Sequence, residues 1–244
     1  MRGTMNEGVQ DDTGIITNHS IYNFKRFIDL RGVKNKSIMA SIQKYNSDRK
    51  RDDLEKISSP YPYEYLLAII NSTWANRYLN AIRKHKNYNT FYPDEFRQLP
   101  IKEIADIDLI IKLVHALDFL FVADAALARK FDFLLEAIIE ELYFAAQFYR
   151  DGIYPLIDNL LSETLLPYFM IDDARLIEWK HLYWQIQLQE EENPEAQQAL
   201  AQLEGDLHEQ LRDIYKKIKA DTAAWDVINH IQEHPWVKSI LGSA

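Results

Sequence analysis

The chain has 244 residues, a formal net charge of −9, 47% hydrophobic and 27% charged residues, a mean hydropathy of −0.33 and no cysteine. That length suffices for one large or two small domains. The missing cysteine excludes disulfides, thiolate nucleophiles and cysteine-held zinc, and fits a reducing cytoplasm, where the chain is expected to reside. Seven glycines are few for a turn-rich sheet protein. The longest apolar stretch, Ile110 to Ala128, is interrupted by Lys112, Asp118 and Asp124, so a membrane span is not expected.

Residues 1–13 are polar and are expected to be disordered. Gly14 to Leu30 has the Ile, Tyr and Phe content of one or two short strands, broken by Asn18, His19 and Ser20. Gly32 to Asn46 is ambiguous between a strand and a short helix, and Ser47 to Ile57 reads as a charged helical turn or loop. Two prolines between Ser58 and Pro62 then punctuate the chain. From Tyr63 the period changes. Leu66, Leu67, Ile70, Trp74, Tyr78 and Ile82 recur at helical spacing and predict one amphipathic helix through Ile82. Pro93 and Pro100 forbid its continuation, so Tyr88 to Ile101 is expected to be an extended segment and turn packed back on that helix.

Beyond Ile101 the pattern is helical throughout. Ile104 to Ala128 and Lys130 to Tyr149 predict two long helices with a break near Arg129, and Ile153 to Phe169 and Asp172 to Gln189 predict two more. Asn193-Pro194-Glu195 has the composition of a helix start: a cap, a proline in the first turn and an acid at the positive dipole end. Leu200, Leu203, Leu207, Leu211, Ile214 and Ile218 follow as a seam for one neighbour. Thr222 to Leu241 predicts a final helical segment. The fold class expected is α+β, predominantly α-helical, with a small β-containing N-terminal part.

Charge divides the chain. Ser20 to Pro100 holds 15 Lys and Arg against 8 Asp and Glu, whereas Ile101 to Ala244 holds 12 against 26. Such asymmetry points to a polyanion meeting only the first part. Guanidinium and amide groups can read base edges, and lysines hold phosphates. The candidate DNA-binding residues are therefore Asn18, His19, Lys34, Asn35, Lys36, Arg49, Lys50, Arg51, Arg77, Arg83, Lys84 and Lys86.

Other chemistries fail on spacing. His230 to His234 matches an H-x-x-E-H zinc string, but Pro235 ends the helix at once. Pro93-Asp94 and Glu178-Trp179-Lys180 lie too far apart for a magnesium nuclease pair. No glycine-rich phosphate loop and no G-x-S-x-G elbow occurs. No metal site is expected.

The phrase YLLAIINS followed by FYPDEFRQLPI resembles the TaqI-like C-terminal specificity domain of adenine-specific DNA methyltransferases and type IIG restriction-modification enzymes. In that family an LLALLNS-type helix precedes a YP-x-D/E-x-x-x-LPI segment; Tyr92-Pro93 and Leu99-Pro100-Ile101 match it. ITNHSI at Ile16 to Ile21, GVKNKSI at Gly32 to Ile38 and LLEAIIEELYFAAQF at Leu134 to Phe148 are similar to flanking family phrases, and the likeness spans roughly residues 14–160. It implies a module that recognises double-stranded DNA for a methyltransferase catalytic domain or subunit. The family's S-adenosylmethionine loop and Asn-Pro-Pro-Tyr motif are missing; the only Asn-Pro is Asn193-Pro194, followed by Glu195. No methyltransferase, nuclease or peptidase activity is expected of the chain alone, and S-adenosylmethionine is expected only in the catalytic partner. The organisation expected is a basic recognition segment over 14–101 and an acidic helical region over 102–244 packed on it. The rival expectation is a helical protein-interaction domain indifferent to DNA.

Overall fold

The computed structural model describes residues 25–46, 48–83, 92–104, 107–150, 160–188 and 193–241. The described chain is helical, and no strand occurs among the described residues, so a β-containing N-terminal part is not supported there. The expected disorder of 1–13 and the strand-like words before residue 25 lie outside the described residues.

After a 3-10 turn at Ile28–Leu30 come α1 (Lys36–Tyr45) and α2 (Arg51–Ser58), so the ambiguous segment after Gly32 is a helix. Its start is dictated locally: Asn35 is extended and its side chain accepts from Ser37 N at 2.8 Å, a cap that favours helix over strand.

The helix predicted from Tyr63 to Ile82 is two helices, α3 (Tyr63–Asn71) and α4 (Thr73–Ile82). Ser72 divides them. It is extended, its hydroxyl donates to Ile69 O at 2.7 Å, and the same oxygen accepts from Ala75 N at 3.1 Å. The break resets the helical phase. Tyr65, Ala68, Ile69, Trp74, Ala75 and Leu79 form the buried stripe, and the expected Leu66, Leu67 and Ile70 are only half-buried. A single turn, α5 (Pro93–Phe96), follows. The segment after it does pack back. Tyr78, Tyr65 and Tyr143 donate their hydroxyls to Gln98 O, Lys102 O and Pro100 O, at 3.1, 2.6 and 2.6 Å.

Helices α6 (Asp108–Ala123) and α7 (Ala125–Arg150) meet at Asp124, five residues before the expected break. Aspartate caps, whereas Arg129 merely sits on the surface of a helix. Asp124 N donates to Leu120 O at 2.8 Å while its carboxylate accepts from Ala126 N and Leu127 N, each at 3.0 Å. A short α8 (Leu161–Leu165) leads to α9 (Asp173–Leu188). Asn193 opens α10 (Pro194–Ala220) as its composition predicts, accepting from Ala196 N at 3.1 Å. Asp221 caps α11 (Thr222–Glu233), and Pro235 starts α12 (Pro235–Leu241).

The hydrophobic centre lies where α6 and α7 pack together, enclosed by α3, α9, α10 and α11. Phe119 meets Trp179 edge-on at 5.0 Å, and Phe131 meets Phe169 edge-on at 5.7 Å. Leu207, Leu211, Ile214 and Ile218 are buried in the same core, so the α10 seam is intramolecular. Helices α3 and α4 belong to this core; the buried apolar residues described on α1 and α2, Ile42 and Leu54, do not.

Candidate nucleic-acid interface

Over residues 36–44, helix α1 buries Ile42 and exposes Lys36, Met39, Ala40, Gln43 and Lys44. Lys34, Asn35 and Lys36 at its start meet Arg51 around a shallow cavity of about 440 Å³ whose other walls are Met39, Ala40 and Gln43. The sequence candidates therefore converge in part. Asn35 has its side-chain oxygen engaged as the helix cap, which leaves its amide NH₂ to face outward.

Arg51 has a different position from its two basic neighbours. Its Nε donates to Glu55 Oε1 at 3.0 Å, Nη1 to Val33 O at 2.7 Å, and Nη2 to Leu30 O. It thus ties the loop before α1 to the first turn of α2. Glu55, only 6% exposed, also accepts from Arg31 Nε at 3.3 Å. Arg49 is exposed with Nε 3.9 Å from Asp48, and Lys50 is exposed at the cap position of α2. Arg77 lies exposed on α4 and Arg83 half-buried at its C-terminal end; neither lines the α1 cavity. Asn18, His19, Lys84 and Lys86 lie outside the described residues.

The zinc string does not assemble. His230 Nδ1 lies 2.6 Å from Asp226 O on the surface, whereas His234 is buried at the helix end against Phe148. No cluster of His, Asp and Glu suited to a metal occurs among the described residues. Lys180 pairs with Asp118 at 3.2 Å, and Trp179 is core, so the Glu178-Trp179-Lys180 string serves packing.

Sequence reasoning missed two charged features. On α7, burial and then the neighbouring charge of Glu136 push the Glu140 carboxyl up to about 8. Burial raises Glu136 itself to about 7, against the hydrogen bond from Thr73 N. Glu140 Oε2 accepts from Gln232 Nε2 at 2.8 Å, and its other oxygen has no hydrogen-bond partner among the described residues. At 1% exposure no substrate reaches it, so this pair is structural. The i,i+4 spacing was visible, but its burial follows from α4 and α11 arriving from distant sequence. The second feature is a groove between α7 and α10 lined by Lys130, Arg212, Lys216 and Lys219. The basic i, i+4, i+7 spacing on α10 could have flagged it, but the acidic total of the region concealed it.

No helix among the described residues is long and apolar enough to cross a membrane. No family model, no curated protein and no solved structure matches this chain.

Proposed function

We propose that this chain is a DNA target-recognition module of an adenine-specific DNA methyltransferase or type IIG restriction-modification system. Its partners would be double-stranded DNA and a catalytic domain or subunit that carries S-adenosylmethionine. The observation that carries the reading is α1: a helix capped by Asn35 that presents Lys36, Gln43 and Lys44 to solvent, with Lys34 exposed just before it. The family phrases quoted above support it. An α-helix fits the major groove of B-DNA, where Gln43 and the Asn35 amide can address base edges while the lysines neutralise phosphates. The chain itself performs no methyl transfer; it positions the duplex.

Arg51 belongs to the scaffold of this surface, by the three bonds it donates, so the phosphate contacts fall to Lys34, Lys36, Lys44, Arg49 and Lys50. Five such contacts predict that log affinity falls with log salt at a slope of about −4.5. Fluorescence anisotropy with a duplex checks this. Changing Lys34, Lys36 and Lys50 together to alanine should flatten the slope by roughly 3 units. Absence of duplex binding at low salt, or a slope indifferent to the triple change, would discard the reading.

A second reading, a protein-interaction domain, draws on α9. Ile177, Trp184 and Leu188 lie on it at i, i+7 and i+11 and are 37%, 49% and 69% exposed. Most of the seam on α10 is closed to such a partner, because Leu207, Leu211, Ile214 and Ile218 are buried within the chain and Leu200 and Leu203 are half-buried against its core. Binding of a catalytic subunit abolished by Trp184→Ala and untouched by the lysine changes would favour this face.

A further inference from the structure

We propose that the groove between the start of α7 and the last turns of α10 is a second anion site, one that takes a phosphate group. Arg212, Lys216 and Lys219 stand at i, i+4 and i+7 on α10, so their Cα atoms span about 10.5 Å along one face. Lys130 reaches in from α7, its ammonium 5.2 Å above the ring of Tyr215. The groove encloses about 530 Å³, ample for a phosphate together with the body that bears it.

In the acidic half of the protein several cations are neutralised by carboxylates. Lys217 pairs with Asp213 at 2.8 Å, Arg175 with Asp206 at 3.0 Å and Lys180 with Asp118 at 3.2 Å. Arg212 and Lys216 differ: among the described residues neither is in ion-pair contact with a carboxylate. Like charges one helical turn apart repel. Lys216 feels the charge of Asp213, but that carboxylate already pairs with Lys217, so a bound anion relieves the repulsion among the cations of the groove.

Asp124 is the one acid in the lining, and its charge is answered. Oδ1 accepts from Ala126 N and Leu127 N, and Oδ2 lies 2.8 Å from His208 Nε2. The first-turn amides of α7 are occupied by that carboxylate, so the ligand is held by side chains. The planar fork of Arg212 suits bidentate phosphate recognition, and the lysines add point charges around it.

The phosphate can come from a free phosphoanion or from a nucleic-acid strand, and titration of the full chain separates the two. Calorimetry with pyrophosphate and anisotropy with a short single-stranded oligonucleotide are the probes, at low salt. Arg212→Ala with Lys216→Ala, and independently Lys130→Gln on the opposite wall, should weaken binding about tenfold, each losing charge-assisted bonds. Lys217→Ala, paired on the same helix, should leave it unchanged. Pyrophosphate binding with this pattern identifies a small phosphoanion; oligonucleotide binding alone with this pattern identifies a strand. All these side chains but Lys130 are solvent-facing positions of one helix, and unchanged circular dichroism verifies the fold. Neither probe binding, or binding indifferent to both sets of changes, overturns the proposal. The site is independent of α1: the triple change of Lys34, Lys36 and Lys50 should not affect pyrophosphate binding, so the two readings fail separately.

Discussion

Helix α1 and helix α6 are both amphipathic segments of this chain, and they sit in opposite surroundings. Helix α6 buries Leu109, Ile110, Leu113, Val114, Ala116, Leu117, Phe119 and Leu120, and meets neighbours on several sides. Helix α1 buries Ile42 and leaves even Met39 53% exposed. What fixes α6 is apolar area removed from water. Among the described residues, what holds α1 is a cap, the Arg51 bonds to the loop before it, and the buried Ile42. Helix α1 therefore adds less to the core than α6 does, and Lys36 and Gln43 stand on its solvent-facing side.

The largest effect that could break this contrast comes from truncating each anchor. Phe119→Ala, which removes the edge-on partner of Trp179, should destabilise by about 3–5 kcal/mol. Ile42→Ala should cost about 1–2 kcal/mol, because a cavity next to solvent can collapse. Chemical denaturation measures both. Equal losses would mean that α1 is as integral to the core as α6.

The next effect concerns the acids that the core encloses. Glu136 and Glu140 have raised carboxyls, at about 7 and about 8, against an ordinary 4.5. The folded chain thus holds protons that the unfolded chain has released. Stability is full below pH 4.5 and falls as pH rises through 7 and 8. Glu140→Gln keeps the shape and the acceptor for Gln232 while removing the charge. The variant should be more stable than the parent at pH 9, by on the order of 3 kcal/mol, and nearly equal to it at pH 5. An identical pH profile in the two proteins would show that Glu140 ionises freely.

A smaller effect, which also weakens as pH rises, joins three helices. His115 on α6 has Nδ1 2.7 Å from Asp173 Oδ1 on α9 and Nε2 3.6 Å from Glu64 Oε1 on α3. Burial opposes the charged imidazole, but the hydrogen bonds and charges of Glu64 and Asp173 outweigh it and raise His115 above its ordinary 6.5. That contribution is fully present below pH 6.5 and is lost as pH rises through the folded value. His115→Gln should therefore cost about 1–2 kcal/mol at pH 6 and less at pH 9. Thermal unfolding at the two values checks it; a cost that does not change with pH would remove the charged clamp.

The helical character, the Asn193 cap and the buried α10 leucines were legible because each rests on spacing within one segment. Ser72 and Asp124 were misread for the same reason. A serine or an aspartate inside a helical pattern reads equally as an exposed residue or as a cap, and only the competing contacts of Ile69, Ala75, Ala126 and Leu127 decide. The candidate interface was half legible. Positive charge around α1 is a property of composition, but the carbonyls of Leu30 and Val33 that engage Arg51 are brought there by the path of the backbone. The spacing within α7 and within α10 was local, but the groove between them and the packing of Thr73 and Gln232 against Glu136 and Glu140 join segments far apart in sequence.

The smallest effect sharpens the contrast at adjacent residues. Lys50 and Arg51 carry the same charge, yet Lys50 is exposed and Arg51 has only 20% of its side chain accessible. Arg51 supports the loop that leads into α1 through Leu30 O and Val33 O, and it neutralises the buried Glu55. Arg51→Ala should cost about 1 kcal/mol, through the loosened loop and through a Glu55 left with Arg31 as its remaining cation. Lys50→Ala should change stability by less than about 0.5 kcal/mol, as surface substitutions do. Their effects on duplex binding should reverse. Losing Lys50 removes one phosphate contact and flattens the salt slope by about 0.9. Losing Arg51 weakens binding through the misplaced helix, with the slope nearly intact, because no phosphate contact disappears. Two variants, each measured by denaturation and by salt-dependent anisotropy, therefore separate scaffold from interface within one turn of chain. A flattened slope for Arg51→Ala would place its guanidinium on the DNA and transfer the scaffold role to Arg31, the other donor to Glu55.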